Sequence, residues 1–319
     1  MIKDIHTQPE KLVAYTRDGL LEQEHFGFVV RCNKEREIEK IGDDKNYPFY
    51  LRSCAKPLQA SLIIDYGLDK QYNMTEEEIA ICCASHAGEA VHCELITNLL
   101  TKFDISDEKL KCGIHTPLSK TTQNELLLNS KEATVIHNNC SGKHVMMLGL
   151  CKLMGWDMNS YYKDSHPLQK SIKEKIYNLC NIKTEYPVTK DGCGVPIYSM
   201  PLSNMVMGYI NLFCNPKYEI IKKAFLNHPY IIGGEGRTDT KIMTQTENII
   251  AKVGAGGLCI VVNTLLEEGF VVKICDSNMI AREVITGDLI NNIHWGKVDL
   301  DKDIKTLHGD IVGRIISLV

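Results

Sequence analysis

Strand-like sequence lies at both ends of this chain, helix-like sequence fills its middle, and no Pro-, Gly- or Ser-rich linker separates them. That order constrains the fold more than any other feature. Strands at distant termini satisfy their backbone groups and bury one face together only if the two ends meet in one sheet. Near the N-terminus, Leu12 to Thr16 and Phe26 to Cys32 read as strands, with a turn at Arg17-Asp18-Gly19 following the first. Toward the C-terminus, Ile249 to Val253, Leu258 to Asn263 and Phe270 to Cys275 read the same way, with Gly256-Gly257 as a hairpin turn. Between them Leu58, Leu62 and Tyr66 recur every fourth residue before Gly67, and Thr75 with Glu78 forms a capping box. Val91, Leu95 and Leu99, and later Leu168, Ile172 and Ile176, mark further helices. The expectation is an α+β fold: an antiparallel sheet from N- and C-terminal strands packed with a helical middle region, as a single domain over residues 1–319.

Composition excludes several functional classes. With 36 Lys plus Arg against 40 Asp plus Glu, a net charge of −4, the chain lacks the basic excess of a nucleic-acid binder. Its longest uncharged apolar stretches, Ile79 to Ser85 and Gly257 to Leu266, fall short of the roughly 18 residues of a membrane span. The start, Met1-Ile2-Lys3-Asp4-Ile5-His6, lacks the apolar core of an export signal, so a cytoplasmic location is expected. The 13 cysteines are odd in number and scattered, which argues against a disulfide framework. Cys82, Cys83, Cys151, Cys180 and Cys259 sit in apolar runs and read as small buried hydrophobes.

Four segments carry residues suited to chemistry. In Arg52-Ser53-Cys54-Ala55-Lys56-Pro57, a Ser-x-x-Lys opens a helix, where residues three apart share a face. A desolvated lysine near a second cation can lose its proton near neutral pH and serve a serine nucleophile as base; the alternative is a capping serine and a surface lysine. Ala84-Ser85-His86-Ala87-Gly88-Glu89 falls between two helices and would hold polar side chains at an element end, or simply cap a helix; His92 beyond it reads as a satisfied histidine. In Asn138-Asn139-Cys140-Ser141-Gly142-Lys143-His144, Cys140 precedes a helix whose dipole favours a thiolate. Asp191-Gly192-Cys193-Gly194-Val195-Pro196 sets another cysteine in a glycine turn; two thiols with His137, Lys143 or His144 could bind zinc, with a cysteine–histidine nucleophile as rival. Finally, Lys252-Val253-Gly254-Ala255-Gly256-Gly257 matches neither a phosphate loop nor a dinucleotide fingerprint, but a Lys-x-Gly on a terminal strand can offer a cation and backbone N–H groups to a cleft.

Together with Glu22, His25, His166-Pro167 and Gly236-Arg237-Thr238-Asp239-Thr240, these segments resemble the rhizobial-type L-asparaginases, the asparaginase II family (class 3). Such enzymes share a fold with glutaminases and serine β-lactamases. The resemblance implies two facing Ser-Lys pairs, Ser53 with Lys56 and Ser85 with Lys252. It also marks Arg52, His86, Asp191, Gly254 and Ala255 as substrate-binding, and it implies a zinc ion held by Cys140, Lys143 and Cys193 with water in the fourth position. The chain departs from the family pattern at Gly254-Ala255-Gly256-Gly257, where Gly-Ala-Glu-Gly is usual, at Glu235 in place of a common threonine, and at Cys54 in place of a common serine. The first two bear on substrate preference rather than on the catalytic serines.

The implied activity is hydrolysis of L-asparagine to L-aspartate and ammonia by a homodimer with a small-molecule substrate and no nucleic-acid or membrane partner. Ser53 is expected to attack the side-chain amide with Lys56 as base. Ser85 and Lys252 then relay the proton to the leaving ammonia, and backbone N–H groups of Ser53 and Ala255 form the oxyanion hole. The alternatives are a glutaminase, a penicillin-recognising serine hydrolase, or a homologue that binds zinc or an amino acid without turnover. Absence of a Lys-Thr-Gly or Lys-Ser-Gly triplet disfavours the penicillin-recognising reading.

Overall fold

The computed structural model describes residues 6–319, so the expectation drawn from the first five residues lies outside the described part. The chain opens with strands β1 (Glu10–Arg17), β2 (Leu20–Asn33) and β3 (Glu37–Ile41), then the short β4 (Phe49–Tyr50). The helical middle runs α1 (Lys56–Asp65), α2 (Leu68–Gln71), α3 (Glu76–Cys83), α4 (Ala90–Lys102), α5 (Lys120–Leu128), α6 (Ser141–Met154) and α7 (Pro167–Leu179). After β5 (Val188–Lys190) and β6 (Pro196–Met200) come α8 (Leu202–Phe213), α9 (Glu219–Asn227), α10 (Pro229–Ile232) and α11 (Thr238–Gln245). The chain closes with β7 (Ile249–Gly254), β8 (Leu258–Asn263), β9 (Glu268–Ile274), α12 (Met279–Asn292), β10 (Asp303–Lys305) and β11 (Ile311–Ser317).

The antiparallel sheet of N- and C-terminal strands is present. Its order is β10-β11-β1-β2-β9-β8-β7, with β3 pairing off β2, so the two N-terminal strands are inserted between C-terminal ones. Three of its strands, β3, β10 and β11, and the helix α12 were not read from the sequence. β11 shows why: its burial runs exposed and half-buried almost throughout, without the alternation that marks a strand with one buried face. The sheet is covered on both sides. A side chain at Gly269 would meet Val206 of α8, whereas its neighbour Phe270 packs on Trp295, which follows α12, and adjacent strand residues point to opposite faces. That explains why β8 is buried at every position and reads as a continuous apolar run.

The helices carry their own stop and start signals. The Thr75–Glu78 capping box forms with both hydrogen bonds, and three glutamates occupy the first turn of α3, where the helix dipole favours negative charge. At α7 the His166 side chain accepts from the Leu168 N–H ahead of Pro167, and α6 ends at Gly155 in the left-handed region (φ 67°). The five cysteines read as buried hydrophobes are all fully buried. Among the described residues no helix is long and apolar enough to cross a membrane.

Two contacts prepare the site. β4 and β6 pair in a three-stranded sheet with β5, which brings the segment after β4 beside the turn between β5 and β6. α6 lies so close to α3 that a Cβ at Gly142 would stand 2.1 Å from the Ile81 carbonyl oxygen. Only a glycine permits that approach, and it carries Lys143 to the end of the helix that delivers Ser85. Gly142→Ala is expected to lower unfolding free energy by about 1–3 kcal/mol through overpacking, measured by urea denaturation; an unchanged midpoint and slope would show that the two helices separate freely.

Candidate active site

The segment Arg52–Ala55 forms a single 3-10 turn ahead of α1, and the Lys56 backbone N–H donates to the Ser53 carbonyl. Arg52 adopts φ 48°, the left-handed region, which costs a non-glycine residue about 1–3 kcal/mol. Two bonds hold it there. The Arg52 Nε donates to Asp191 Oδ1 at 3.0 Å, and the Leu51 N–H donates to the Tyr198 carbonyl at 3.0 Å. The turn places Ser53 on the wall of a cleft of about 560 Å³.

Lys56 does not turn back to Ser53. Its buried amine bonds the Ala84 carbonyl at 2.7 Å, the Asn139 carbonyl at 2.8 Å and Ser85 Oγ at 3.0 Å. The expected Ser53–Lys56 contact is absent from the hydrogen bonds of Lys56 because α3 stops at Cys83 and the extended backbone at Ala84 (φ −73°, ψ 151°) presents a carbonyl and the Ser85 hydroxyl instead. Carbonyl oxygens only accept. A neutral amine has two N–H bonds and one lone pair, so with both N–H bonds on the carbonyls its lone pair faces the Ser85 hydroxyl. Burial pushes the Lys56 amine down, the Cys140 sulfur opposes this, and the Lys143 and Lys252 charges push it further down, to about 8.

The second lysine has a different partner. Lys252 on β7 is fully buried, and its amine bonds Asp239 Oδ2 at 3.1 Å and the Val253 carbonyl at 3.1 Å; no hydrogen bond joins it to Ser85. Asp239 sits in the first turn of α11, which packs on β7. Burial pushes the Asp239 carboxyl up, but the Lys252 and Arg237 charges outweigh it and leave it below the ordinary value. Arg282 of α12 adds a third cation, donating to the Gly254 carbonyl at 3.4 Å and to Thr238 Oγ1 at 3.2 Å.

Cys140, Lys143 and Cys193 converge. The Lys143 amine bonds Cys193 Sγ at 3.0 Å, and both cysteines line the cleft. Neither His137 nor His144 joins them: His137 bonds Thr134, and His144 Nδ1 lies 2.6 Å from the Tyr161 hydroxyl. No histidine is hydrogen-bonded to either thiol, which removes the geometry a cysteine–histidine nucleophile requires. The surroundings favour the other cysteine as the thiolate. A hydrogen bond from Cys140 pulls Cys193 down, burial opposes, and the Lys143 charge pulls it further, to about 5. Cys140 is held up at about 12 by that same bond and by burial, against the opposing charges of Lys56 and Lys143. Among the described residues no three His, Cys, Asp or Glu side chains gather as a metal site, so a metal here depends on Lys143 as third donor.

The remaining expected residues divide. Arg52, Asp191 and Ala255 line the cleft. His86 does not. It is fully buried; its Nδ1 accepts from the Gly88 N–H at 3.2 Å, which leaves Nε2 to donate to Ser141 Oγ at 3.0 Å, and burial holds the ring neutral, well below its ordinary pKa. It braces the Ser85 segment against α6. His92 is likewise buried and accepts from the Glu89 N–H. Gly254 serves packing: a Cβ there would come within 3.0 Å of Cys54 Sγ and 3.2 Å of the Leu51 carbonyl oxygen, so the bare strand lies against the Ser53 turn. Sequence reasoning passed over Asp239, His115, Asn138 and Asn139 as functional residues. The first stood in a segment quoted only for resemblance, and the others are polar loop or turn residues with no periodic signal.

The family model for L-asparaginase II matches residues 13–314. No curated protein matches the sequence. Among solved structures, the chain is similar to a β-lactamase from Mycobacterium bovis (12% identity, TM-score 0.40, covering 83% of this chain and 94% of that one). It is also similar to a β-lactamase-type protein from Bacteroides dorei (10% identity, TM-score 0.46, covering 84% of this chain and 93% of that one).

The Lys252–Asp239 pair generates a stability prediction. Asp239→Ala leaves a buried ammonium without its counter-charge and is expected to cost about 3–5 kcal/mol, whereas the double change Asp239→Leu with Lys252→Met costs much less because both charges leave together. Denaturant unfolding of the three proteins checks this; additive losses in the double variant would contradict a direct pair.

Proposed function

The chain belongs to the L-asparaginase II family, and from that premise we propose that it hydrolyses the side-chain amide of L-asparagine to L-aspartate and ammonia through a serine ester. Ser53 attacks the amide carbon from the cleft wall. Its proton passes by way of the Ser85 hydroxyl to the Lys56 lone pair and then to the departing nitrogen, which leaves as ammonia. Water, deprotonated along the same route, opens the β-aspartyl ester and frees Ser53. The observation that carries this reading is the buried Lys56 amine, whose N–H bonds are taken by two carbonyls while its third neighbour is Ser85. Lys252 is held away from Ser85 by its ion pair with Asp239. The backbone N–H groups of Ser53 and Ala255 face the developing oxyanion. Arg52 and Asp191 offer opposite charges to the α-carboxylate and α-ammonium of the substrate.

A second reading makes Ser85 the nucleophile, because it is the hydroxyl that touches Lys56. Its burial and its absence from the cleft lining favour Ser53. Ammonia release measured with asparagine and glutamine side by side tests the activity and its substrate; release from glutamine alone points to a glutaminase, and release from neither to a binding protein. Ser53→Ala is expected to cut turnover by about 10³-fold or more without unfolding the chain. If Ser85→Ala is inactive and Ser53→Ala retains turnover, the two serines exchange roles. Activity is expected to rise with pH through about 8, because the depressed Lys56 pKa puts the neutral, proton-accepting amine above that pH. A flat profile from neutral to alkaline pH, with chemistry rate-limiting, would contradict a lysine base.

We infer further that Cys140, Lys143 and Cys193 hold zinc, with water in the fourth position, and that the enzyme works in the cytoplasm as a homodimer. The donor set suits zinc once the metal displaces protons: a thiolate, a thiol, and the Lys143 amine, whose proton the sulfurs hold and zinc must outcompete before it can ligate. Bound there, the metal supplies a Lewis acid at the cleft wall. Elemental analysis is expected to find about one zinc per chain, lost in the double variant Cys140→Ala with Cys193→Ala, and chelation should lower the melting temperature. Metal-free protein after purification without chelators and supply of zinc would overturn the site.

A further inference from the structure

His115 carries no role in the chemistry above, yet it stands in the cleft wall on the loop between α4 and α5, and its hydrogen bonds lead to the base. Its Nε2 accepts from the Asn139 N–H at 3.0 Å. A backbone N–H can only donate, so Nε2 carries no proton, and the neutral ring has its proton on Nδ1. That nitrogen lies 2.7 Å from the Thr116 carbonyl, to which it donates. Both ring nitrogens are therefore committed in one tautomer.

The next peptide along is gripped in a similar way. The buried Asn138 side chain accepts from the Cys140 N–H at 2.8 Å and donates to the Cys112 and Gly113 carbonyls, each at 3.0 Å. The two peptides that flank the Asn139 Cα thus have their N–H groups clamped by separate side chains: His115 holds the first, and Asn138 holds the second, the planar unit that contains the Asn139 carbonyl, so that carbonyl cannot rotate without breaking a bond on one side of the Cα or the other. That carbonyl is one of the two that occupy the N–H bonds of Lys56. We propose that His115 is a positioning residue for the catalytic base: by holding Asn139 it fixes the carbonyl acceptor that aims the Lys56 lone pair at Ser85. The inference rests on the reading of Lys56 as base and assigns a source for its orientation. Without the clamp the amine keeps its burial but loses one of the two bonds that define the direction of its lone pair.

His115→Leu removes the acceptor at similar bulk, and His115→Gln restores an acceptor oxygen. Steady-state kinetics with asparagine are expected to show kcat down on the order of 10- to 100-fold in His115→Leu, with KM changed less than about threefold and melting temperature close to wild type. His115→Gln should recover most of kcat. A rise in KM at unchanged kcat would make His115 a substrate contact, and equal kcat in all three proteins would show that the Asn139 carbonyl holds itself; either outcome overturns the proposal. Lys56→Met separates this from the premise. If that variant keeps wild-type turnover, the reading of Lys56 as base falls whatever His115 does; if it is inactive while His115→Leu is normal, only the positioning role falls.

Discussion

Three lysine amines are buried in one interior, and the difference in what surrounds two of them, Lys56 and Lys252, organises the site. Taking an ammonium out of water is tolerable only with a counter-charge; without one, the group tends toward its neutral form. Lys252 has the carboxylate of Asp239, and Lys56 has two carbonyls and a hydroxyl. The same residue type is thereby divided into an amine paired with a carboxylate and an amine left with neutral partners. That division follows from which side chains and carbonyls the fold delivers.

The topology delivers them from four places. β7 brings Lys252 to the edge of the main sheet, where α11 covers it with Asp239. The β4–β6 pairing holds the strained Arg52 turn against Asp191 and exposes Ser53. The end of α3 supplies Ala84 and Ser85, and the turn ahead of α6 supplies Asn139 and Cys140. Each strut is a close approach that one residue type allows: Gly142 where α6 meets α3, Gly254 where β7 meets the Ser53 turn, and Gly257, where a Cβ would come 2.3 Å from the Ile274 carbonyl oxygen. The packed interior and the catalytic geometry are in this sense one arrangement, since loosening any of these contacts shifts a donor or acceptor of a buried amine.

Much of this was legible in the order of residues. The terminal strands, the capping box at Thr75 and the Gly256-Gly257 hairpin follow from local patterns, and the sheet joining both ends follows from them in turn. The segments containing Ser53, Lys56, Ser85, Cys140, Cys193 and Lys252 were all singled out as candidates. Their pairing was not. Spacing of three residues suggested Ser53 with Lys56, but a long side chain can leave its own helix face, and the carbonyls at Ala84 and Asn139 are backbone atoms with no signature in sequence. Cys140 shows the same limit: its place before a helix favours a thiolate, but burial and a second thiol from across the fold, Cys193, hold it up. Asp239, distant from any motif of known chemistry, was invisible as the partner of Lys252 for the same reason.

The account stands on Lys56 losing its proton well below the ordinary lysine value, and lysine side-chain NMR reports that directly. In protein labelled at the lysine ε-carbon, the account predicts one resonance titrating with a midpoint of about 8 and missing from Lys56→Met. Persistence of that resonance in Lys56→Met, or a Lys56 resonance that stays in its charged position up to the ordinary lysine value of about 10.4, would contradict it.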